Sequence, residues 1–206
     1  TMDPTPLSNP LQDNKYNNVT DLKNNLFGSF SATLKPFKWL SFSSTNTLTL
    51  TNVNTNDYLD SRTYSGNHSR NEMSNGVLKE DDERSWTFLT SNILRLQHSF
   101  GEHNLSGLVG QEWYERHTRS SHIEMYDQMI AGERNVGGFS KQGDKTNPAV
   151  IPTGAERESG SFSVFSEVNY NYAGKYMASV SFRTDGSTNF GKDNRYGTFY
   201  SFSGSW

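Results

Sequence analysis

Cysteine is absent from this sequence of 206 residues, and so are a membrane-spanning apolar run and the features of a secretory signal. Without thiols the chain has no disulfides, thiolate metal sites or cysteine nucleophiles, so packing and hydrogen bonding must provide its stability. No apolar run reaches the roughly 18 residues that a membrane-spanning helix needs. The first ten residues also lack the basic start and apolar stretch of a secretory signal.

Neither sign of charge dominates, since the net charge is only -3. A nucleic-acid partner would require a basic field, so that class of function is not expected. The average composition is strongly polar, but this does not exclude a membrane, because barrel strands alternate lipid-facing with lumen-facing side chains. Aromatic residues at 13%, with many Ser, Thr, Asn and Gly, favour strands and turns over helices.

Apolar and polar side chains alternate with a period of two in seven segments, as expected for strands with one apolar face. The clearest example lies near the C-terminus, where Phe162 and Val164 alternate with Ser163 and Glu167. Ala173 and Gly174 then supply a turn. The predicted strands are 25–35, 39–51, 86–97, 104–116, 161–172, 175–184 and 197–206.

The connections between these segments alternate between short and long. Residues 52–85 and 117–160 lack sustained alternation and are predicted to be long loops, the second with a short helical turn around 123–130. Outer-membrane barrels have short periplasmic turns, long external loops and strands of about 9 to 11 residues. The pattern therefore predicts an all-β, antiparallel up-and-down transmembrane β-barrel segment of about seven strands.

The two long predicted loops, 52–85 and 117–160, are the candidate regions for ligand binding. Binding residues concentrate on loops that a rigid scaffold holds in place, although no single ligand-contacting residue stands out. Aromatic residues near the segment ends suit the interfacial girdles of a barrel and also suit cross-strand packing in a soluble sheet. A passive porin-type barrel and a soluble secreted β-sandwich that binds glycans remain alternatives at this point.

The sequence carries no signature of catalysis, so the chain is expected not to be an enzyme. No serine-hydrolase elbow or dinucleotide-binding glycine motif follows a strand. The five histidines occur singly, without the spacing that would converge on a metal, so catalytic residues, metal ligands and cofactors are all predicted to be absent. These histidines are His68, His98, His103, His117 and His122.

Three sets of charged residues could have a binding role, and a structural or solvated role is favoured for each. The Asp-rich pieces 56–60 and 185–193 could ligate calcium, but solvated loop polarity is favoured because a dedicated calcium-loop spacing is lacking. The run from Lys79 to Arg84 is interpreted as a solvated loop face. Glu167 and Arg183 fall on the polar face of adjacent predicted strands, so we expect a structural ion pair in the lumen or a contact with a plug.

The stretch from Ser163 to Trp206 closely resembles the barrel segment of the SusC/RagA family of TonB-dependent outer-membrane transporters. Two upstream pieces, Asn9-Pro10-Leu11 and the region from His103 to Glu112, resemble the middle of the same barrel. One departure is Tyr200, where the family usually carries Pro. The matching residues are Arg183, Asp185, Gly186, Ser187, Phe190, Gly191, Asn194, Arg195, Tyr196, Gly197, Phe199, Ser201 and Trp206.

The resemblance implies a domain arrangement, partners and a location. Residues 1–206 would be part of the C-terminal β-barrel domain, and the signal peptide, the plug domain and the remaining strands would lie outside this sequence. The implied function is TonB-energised uptake of an oligosaccharide or peptide across the outer membrane of a Gram-negative bacterium. The implied partners are a SusD-like surface lipoprotein, TonB acting through the plug, and membrane lipid, with no nucleic acid.

Overall fold

The computed structural model describes residues 9–68, 75–142 and 151–206, and most of them lie in strands. The strands are β1 Asn18–Phe37, β2 Leu40–Leu59, β3 Val77–Phe100, β4 His103–Gln128, β5 Phe139–Gln142, β6 Thr153–Tyr172, β7 Tyr176–Ser187 and β8 Tyr196–Ser205. The helices are α1 Pro10–Tyr16 and α2 Tyr64–His68, with 3-10 turns at Val136–Gly138 and Lys192–Asn194. Across these three ranges, no helix combines the length and the apolar content needed to cross a bilayer.

All eight strands belong to one sheet, in the order β1-β2-β3-β4-β6-β7-β8, with β5 paired to β4. The pairs β4–β5, β6–β7 and β7–β8 are antiparallel. Apart from β5, each strand therefore lies beside the strand that precedes it in the chain. The all-β, up-and-down prediction is confirmed, and the two-sheet sandwich is not the arrangement of the described strands.

The predicted loop boundaries were wrong, because the strands continue well past their apolar stretches. Of the predicted loop 52–85, residues 52–59 complete β2 and 77–85 begin β3. Of the predicted loop 117–160, residues 117–128 complete β4, where the helical turn near 123–130 was expected, and 153–160 begin β6. The connection between the last two strands is also shorter than predicted, because β7 ends at Ser187 and β8 begins at Tyr196.

The strand extensions lack sustained apolar alternation because their few apolar residues are interspersed with polar side chains. Cross-strand hydrogen bonds help to hold them: Thr55 donates to Asp21 over 3.2 Å, and His122 Nδ1 lies 2.7 Å from Asp81 Oδ1. The backbone ladder supplies the remaining pairing, and it is indifferent to hydropathy. Period-two hydropathy therefore marks only part of each strand.

The chain divides into two compact units, each with its own chemistry. The first comprises residues 1–25, 51–85 and 118–156 and contains the only cluster of buried apolar side chains found in the described residues. Tyr58, Leu78, Met125 and Phe139 form this cluster, with the rings of Tyr58 and Phe139 edge to face at 6.4 Å. The pairing of Gln128 with Phe139 brings β5 onto β4 and so delivers Phe139 to the cluster.

The second unit comprises residues 26–50, 86–117 and 157–206, and its sheet has a polar and an apolar face. Hydroxyl pairs bridge β1 and β2 on the polar face, at Ser29–Thr47 (3.2 Å) and Ser31–Thr45 (3.0 Å). The apolar face is exposed rather than covered, as the exposed fractions of Phe30 (68%) and Phe202 (72%) illustrate. An apolar sheet face of this kind requires an apolar surrounding.

The turn of the β6–β7 hairpin sets which residues of these two strands lie opposite each other. Ala173 and Gly174 both have positive φ, 54° and 67°, which is the conformation of a type I′ turn. The Gly174 N–H donates to Asn171 Oδ1 over 2.9 Å, and the turn predicted at these two residues is confirmed. Pairing then continues through Glu167↔Ser181 and Phe165↔Arg183.

Candidate functional site

In the first unit, the buried carboxylate of Asp60 directly follows the last residue of β2. The Asp60 side chain is fully buried and accepts hydrogen bonds from Arg62 Nε (2.8 Å) and Nη2 (2.7 Å) and from the Tyr58 hydroxyl (2.8 Å). The bidentate guanidinium is the main cause that lowers the pKa of Asp60 from 3.8 to about 2. The same contact raises the pKa of Arg62. The pair is therefore charged throughout the physiological range.

The residues after Asp60 are tied to helix α1. Asn17 Oδ1 accepts from the Asp60 N–H over 2.9 Å and from the Thr63 hydroxyl over 3.0 Å. Gln12 Nε2 donates to the Arg62 carbonyl over 2.8 Å, and the Arg62 guanidinium lies 4.0 Å from the centre of the Tyr16 ring. The N-terminal segment thus holds the start of the connection between β2 and β3.

Gln128, the last residue of β4, links the connection after β2 with the one after β4. Its Oε1 accepts from the Ser61 N–H over 2.9 Å, and its Nε2 donates to the Glu133 carbonyl over 3.1 Å and to the Tyr58 hydroxyl. Gly76 lies against it with φ +85°, and a Cβ there would approach Gln128 Cβ to 2.7 Å. We call the set Tyr58, Asp60, Arg62, Thr63 and Gln128 the loop anchor.

The loop anchor gives the two candidate ligand-binding regions a fixed base. Outside β2, β3, β4 and β6, the described residues of those regions are 60–68, 75–76, 129–142 and 151–152, of which 139–142 form β5, and the anchor holds the first residues of both regions. That 52–85 and 117–160 contact a ligand stays a prediction. Sequence reasoning missed the anchor itself: Asp60 at the end of a polar stretch had an Asx-turn signal, but Gln128 had none, because its role depends on a contact across 67 residues with Ser61.

On the polar face of the second unit, Arg183 is the centre of a charged cluster. Its Nε donates to Asp185 Oδ1 over 2.8 Å, and its Nη2 lies 3.7 Å from Glu112 and 3.3 Å from the Ser163 hydroxyl. The predicted pair of Glu167 with Arg183 was wrong. Glu167 lies on the same face but pairs with Ser181 across the strands and accepts from Asn169 Nδ2 over 2.6 Å.

The histidines whose side chains the structure describes are divided among separate neighbours. His103 Nδ1 lies 2.6 Å from the Tyr170 hydroxyl, and His117 Nδ1 lies 3.2 Å from Glu158. Within residues 9–68, 75–142 and 151–206, no three His, Asp or Glu side chains converge as a metal site would require. His68 lies at the end of α2.

The other charged groups singled out from the sequence are also engaged by protein partners. Asp60 pairs with Arg62, and Asp185 pairs with Arg183. One carboxylate in each Asp-rich piece therefore already binds a guanidinium group. The run 79–84 was expected in a loop and instead lies in β3, where Lys79 reaches Glu124 at 3.7 Å. These contacts are structural in kind.

Three curated relatives share sequence with this chain, whereas no family model matches it. All three are from Formosa agariphila: TonB-dependent receptor P3 (36% identity over 121 residues, 57% of this chain and 11% of the relative), P26 (27% over 209 residues, 98% and 20%) and P39 (25% over 126 residues, 59% and 11%). The chain thus spans between a tenth and a fifth of the length of these relatives.

Solved structures share the fold. The structure of the RagAB peptide transporter matches with a TM-score of 0.78 at 20% identity, covering 92% of this chain and 20% of the matched one. The RagAB peptide importer in its closed-closed and open-open states matches with TM-scores of 0.73 and 0.74, each at 21% identity with the same coverage. At this identity the likeness concerns the fold alone.

Proposed function

We propose that this chain, which is similar in sequence to TonB-dependent receptors and shares its fold with the RagAB transporter, forms part of the C-terminal β-barrel wall of an outer-membrane importer of the SusC/RagA type. The observation that carries the proposal is the single up-and-down sheet with one polar and one exposed apolar face. Such a sheet is stable where lipid covers the apolar side and a lumen wets the polar side.

The proposed orientation follows from the connections. The turns at 38–39, 101–102 and 173–175 are short and would face the periplasm, and 60–76 and 129–152 would lie outside the cell. The loop anchor would then present these outer segments to a ligand and to a SusD-like surface lipoprotein. A peptide is the ligand named for RagAB, and an oligosaccharide is the second candidate. TonB acting on a plug elsewhere in the protein would supply the energy.

Epitope accessibility tests the orientation. The same short epitope is placed in the full-length protein either within the outer connection, after Asn67, or in the β3–β4 turn, between Gly101 and Glu102. Antibody added to intact cells is expected to label only the first insertion, and both after the outer membrane is permeabilised. Labelling of the turn insertion on intact cells would contradict the proposed orientation.

Uptake tests the function. A strain that lacks the gene is supplied with labelled peptides or labelled oligosaccharides, with and without an uncoupler of the proton gradient. The expected result is uptake of one of the two classes that requires both the gene and the gradient. Uptake that requires the gene but survives the uncoupler would favour the passive porin-type barrel instead.

A further inference from the structure

Five polar side chains lie on the apolar face of the second unit. Thr45 and Thr47 of β2 belong to the polar face, so Asn46 between them points to the opposite side, where Phe42 and Leu48 are exposed. Residues of β3 and β4 continue this polar patch across the sheet. We call the five residues the polar relay: Ser44, Asn46, Thr90, Asn92 and Gln111.

Hydrogen bonds join the polar relay across three strands. Thr90 Oγ1 donates to Asn46 Oδ1 over 2.8 Å, and Asn46 Nδ2 donates to Ser44 Oγ over 3.1 Å. Asn92 Nδ2 lies 3.5 Å from Thr90 Oγ1 and donates to Gln111 Oε1 over 3.3 Å. All five side chains are half-buried, and exposed apolar residues flank them along the strands: Phe42, Leu48, Leu94, Val109 and Trp113.

The polar relay occupies an expensive position. In the proposed orientation this face contacts lipid, where an amide or hydroxyl that loses its hydrogen-bond partner is strongly unfavourable. Apolar side chains would avoid that cost, but they would not fix the alignment of the strands. A slip of two residues keeps every apolar side chain on the lipid side, so hydropathy alone cannot oppose it.

Strand β2 most needs a determinant of its alignment. A two-residue turn joins β3 to β4 and restricts their pairing, whereas β2 and β3 are joined by the long connection 60–76. The two strands are antiparallel, because Asn46 contacts Thr90 while Asn56, farther along β2, contacts Glu80, farther back in β3. Their alignment over the apolar stretch therefore depends on side chains.

Both polar positions of β2 face both polar positions of β3 in the observed alignment. Asn46 faces Thr90, and Ser44 therefore faces Asn92. A slip of two residues in either direction puts one polar residue of each strand opposite an apolar one. Each slip thus leaves polar groups in lipid without their partners, whereas the observed alignment pairs them.

We infer that the polar relay sets the register of β2 on the β3–β4 hairpin and so positions the first outer connection. The inference rests on the proposed function, since only lipid on this face makes an unpaired amide so costly. Asp60 follows the last residue of β2, and a slip of two residues would move it by about 7 Å along the strand relative to β3. The relay residues are thus positioning residues for the candidate ligand-binding region that begins there.

Introduced disulfides test the register. The chain has no cysteine, so two introduced thiols report on one pair of positions. On the polar face of the full-length protein, Thr45→Cys is combined with Ser91→Cys for the observed alignment, and with Leu89→Cys or Ile93→Cys for the two slipped ones. Isolated outer membranes are oxidised, and peptide mapping measures each disulfide. Directly opposite Cβ atoms are close enough for this bond, and diagonal ones are not.

The intact relay is expected to give the disulfide of the observed alignment about tenfold more than either slipped one. Asn46→Leu with Asn92→Leu should reduce this preference to about threefold or less, because apolar side chains tolerate each alignment. Asn56→Leu, which removes a hydrogen bond between the same strands beyond the apolar stretch, is the matched control and should keep the preference. A relay variant that keeps the full preference would overturn the inference, as would an equal loss in the control.

Fractionation separates this inference from the proposed function. A relay variant that is recovered from the outer membrane in the single observed alignment contradicts the relay and leaves the importer intact. An unaltered full-length protein that is not found in the outer membrane contradicts both. If the double variant does not reach the membrane, Thr90→Val removes only the central hydroxyl. It should still raise the slipped disulfides measurably, and no rise would overturn the inference.

Discussion

At the residue scale, the loop anchor shows how a charge can be buried when a cation lies beside it. Asp60 has no solvent access, yet each of its oxygens accepts a hydrogen bond from Arg62, and the Tyr58 hydroxyl adds another. A buried ion pair seldom adds net stability compared with a well-packed apolar pair, but removing one partner is costly. The value of the pair is therefore that it fixes the direction in which the chain leaves β2.

The lowered pKa of Asp60 predicts a pH dependence of this anchor. Since the folded pKa is about 2 against 3.8 in the unfolded chain, ionised Asp60 stabilises the anchor above about pH 4, and that stability is lost as the pH falls toward 2. The difference corresponds to roughly 2 kcal/mol. Hydrogen exchange of residues 58–66 in the full-length protein, corrected for intrinsic rates, should show protection decreasing across that window.

Two variants make this pH test specific. Asp60→Asn should reduce protection already at neutral pH and remove the transition between pH 4 and 2. Asp57→Asn, which alters a partly exposed carboxylate of the same strand, should leave the transition in place. A transition that persists in Asp60→Asn would assign it to another group.

At the scale of elements, the sequence predicted the strands where apolar side chains alternate along one face and failed where apolar residues are too sparse to show a period. Phe30 alternates with Ser29 and Ser31, so β1 was recognised from its exposed apolar side. Asn52 and Glu80 lie in extensions whose few apolar residues are set among polar ones, so hydropathy gives no clear signal there. The part of the loop anchor formed by Gln128 was out of reach for a different reason, since its hydrogen bond with Ser61 joins residues far apart in the chain.

Strand β4 approaches β6 closely at Gly110, which predicts a sharp steric effect. A Cβ at Gly110 would overlap the Phe165 ring, so Gly110→Val must displace that ring and should destabilise the protein by about 1–3 kcal/mol. Gly28, in β1, has nothing within 4 Å of its Cβ position, and Gly28→Val is the matched control with an expected change within about 0.5 kcal/mol. Denaturant unfolding of the full-length protein in detergent measures both.

The Gly110 effect can be traced to its cause with a second substitution. Combining Gly110→Val with Phe165→Ala should recover part of the loss, because the valine then enters the space of the missing ring. Strictly additive effects of the two substitutions would contradict a direct contact.

At the scale of the whole molecule, exposed apolar surface limits the conditions under which the chain is stable. Large apolar side chains remain exposed on many strands, among them Leu26 (66%), Phe30 (68%) and Phe202 (72%). In the order of the described strands, β1 and β8 each have a neighbour on one side only, which leaves unpaired backbone groups at both edges. Such edges and such a face favour aggregation in water.

We therefore predict that residues 1–206, expressed alone, are insoluble without detergent. Sizing and circular dichroism after transfer to detergent, or after addition of the remaining strands of the full-length protein, should show β-structure. A soluble monomer that unfolds cooperatively in water would contradict the transmembrane assignment.

The loop anchor also links the divergence of two connections. Gln128 accepts from the Ser61 N–H and donates to the Glu133 carbonyl, so the first residues after β2 and the first residues after β4 depend on one side chain. In an evolving lineage, a substitution at Gln128 would therefore have to be compensated in both connections at once.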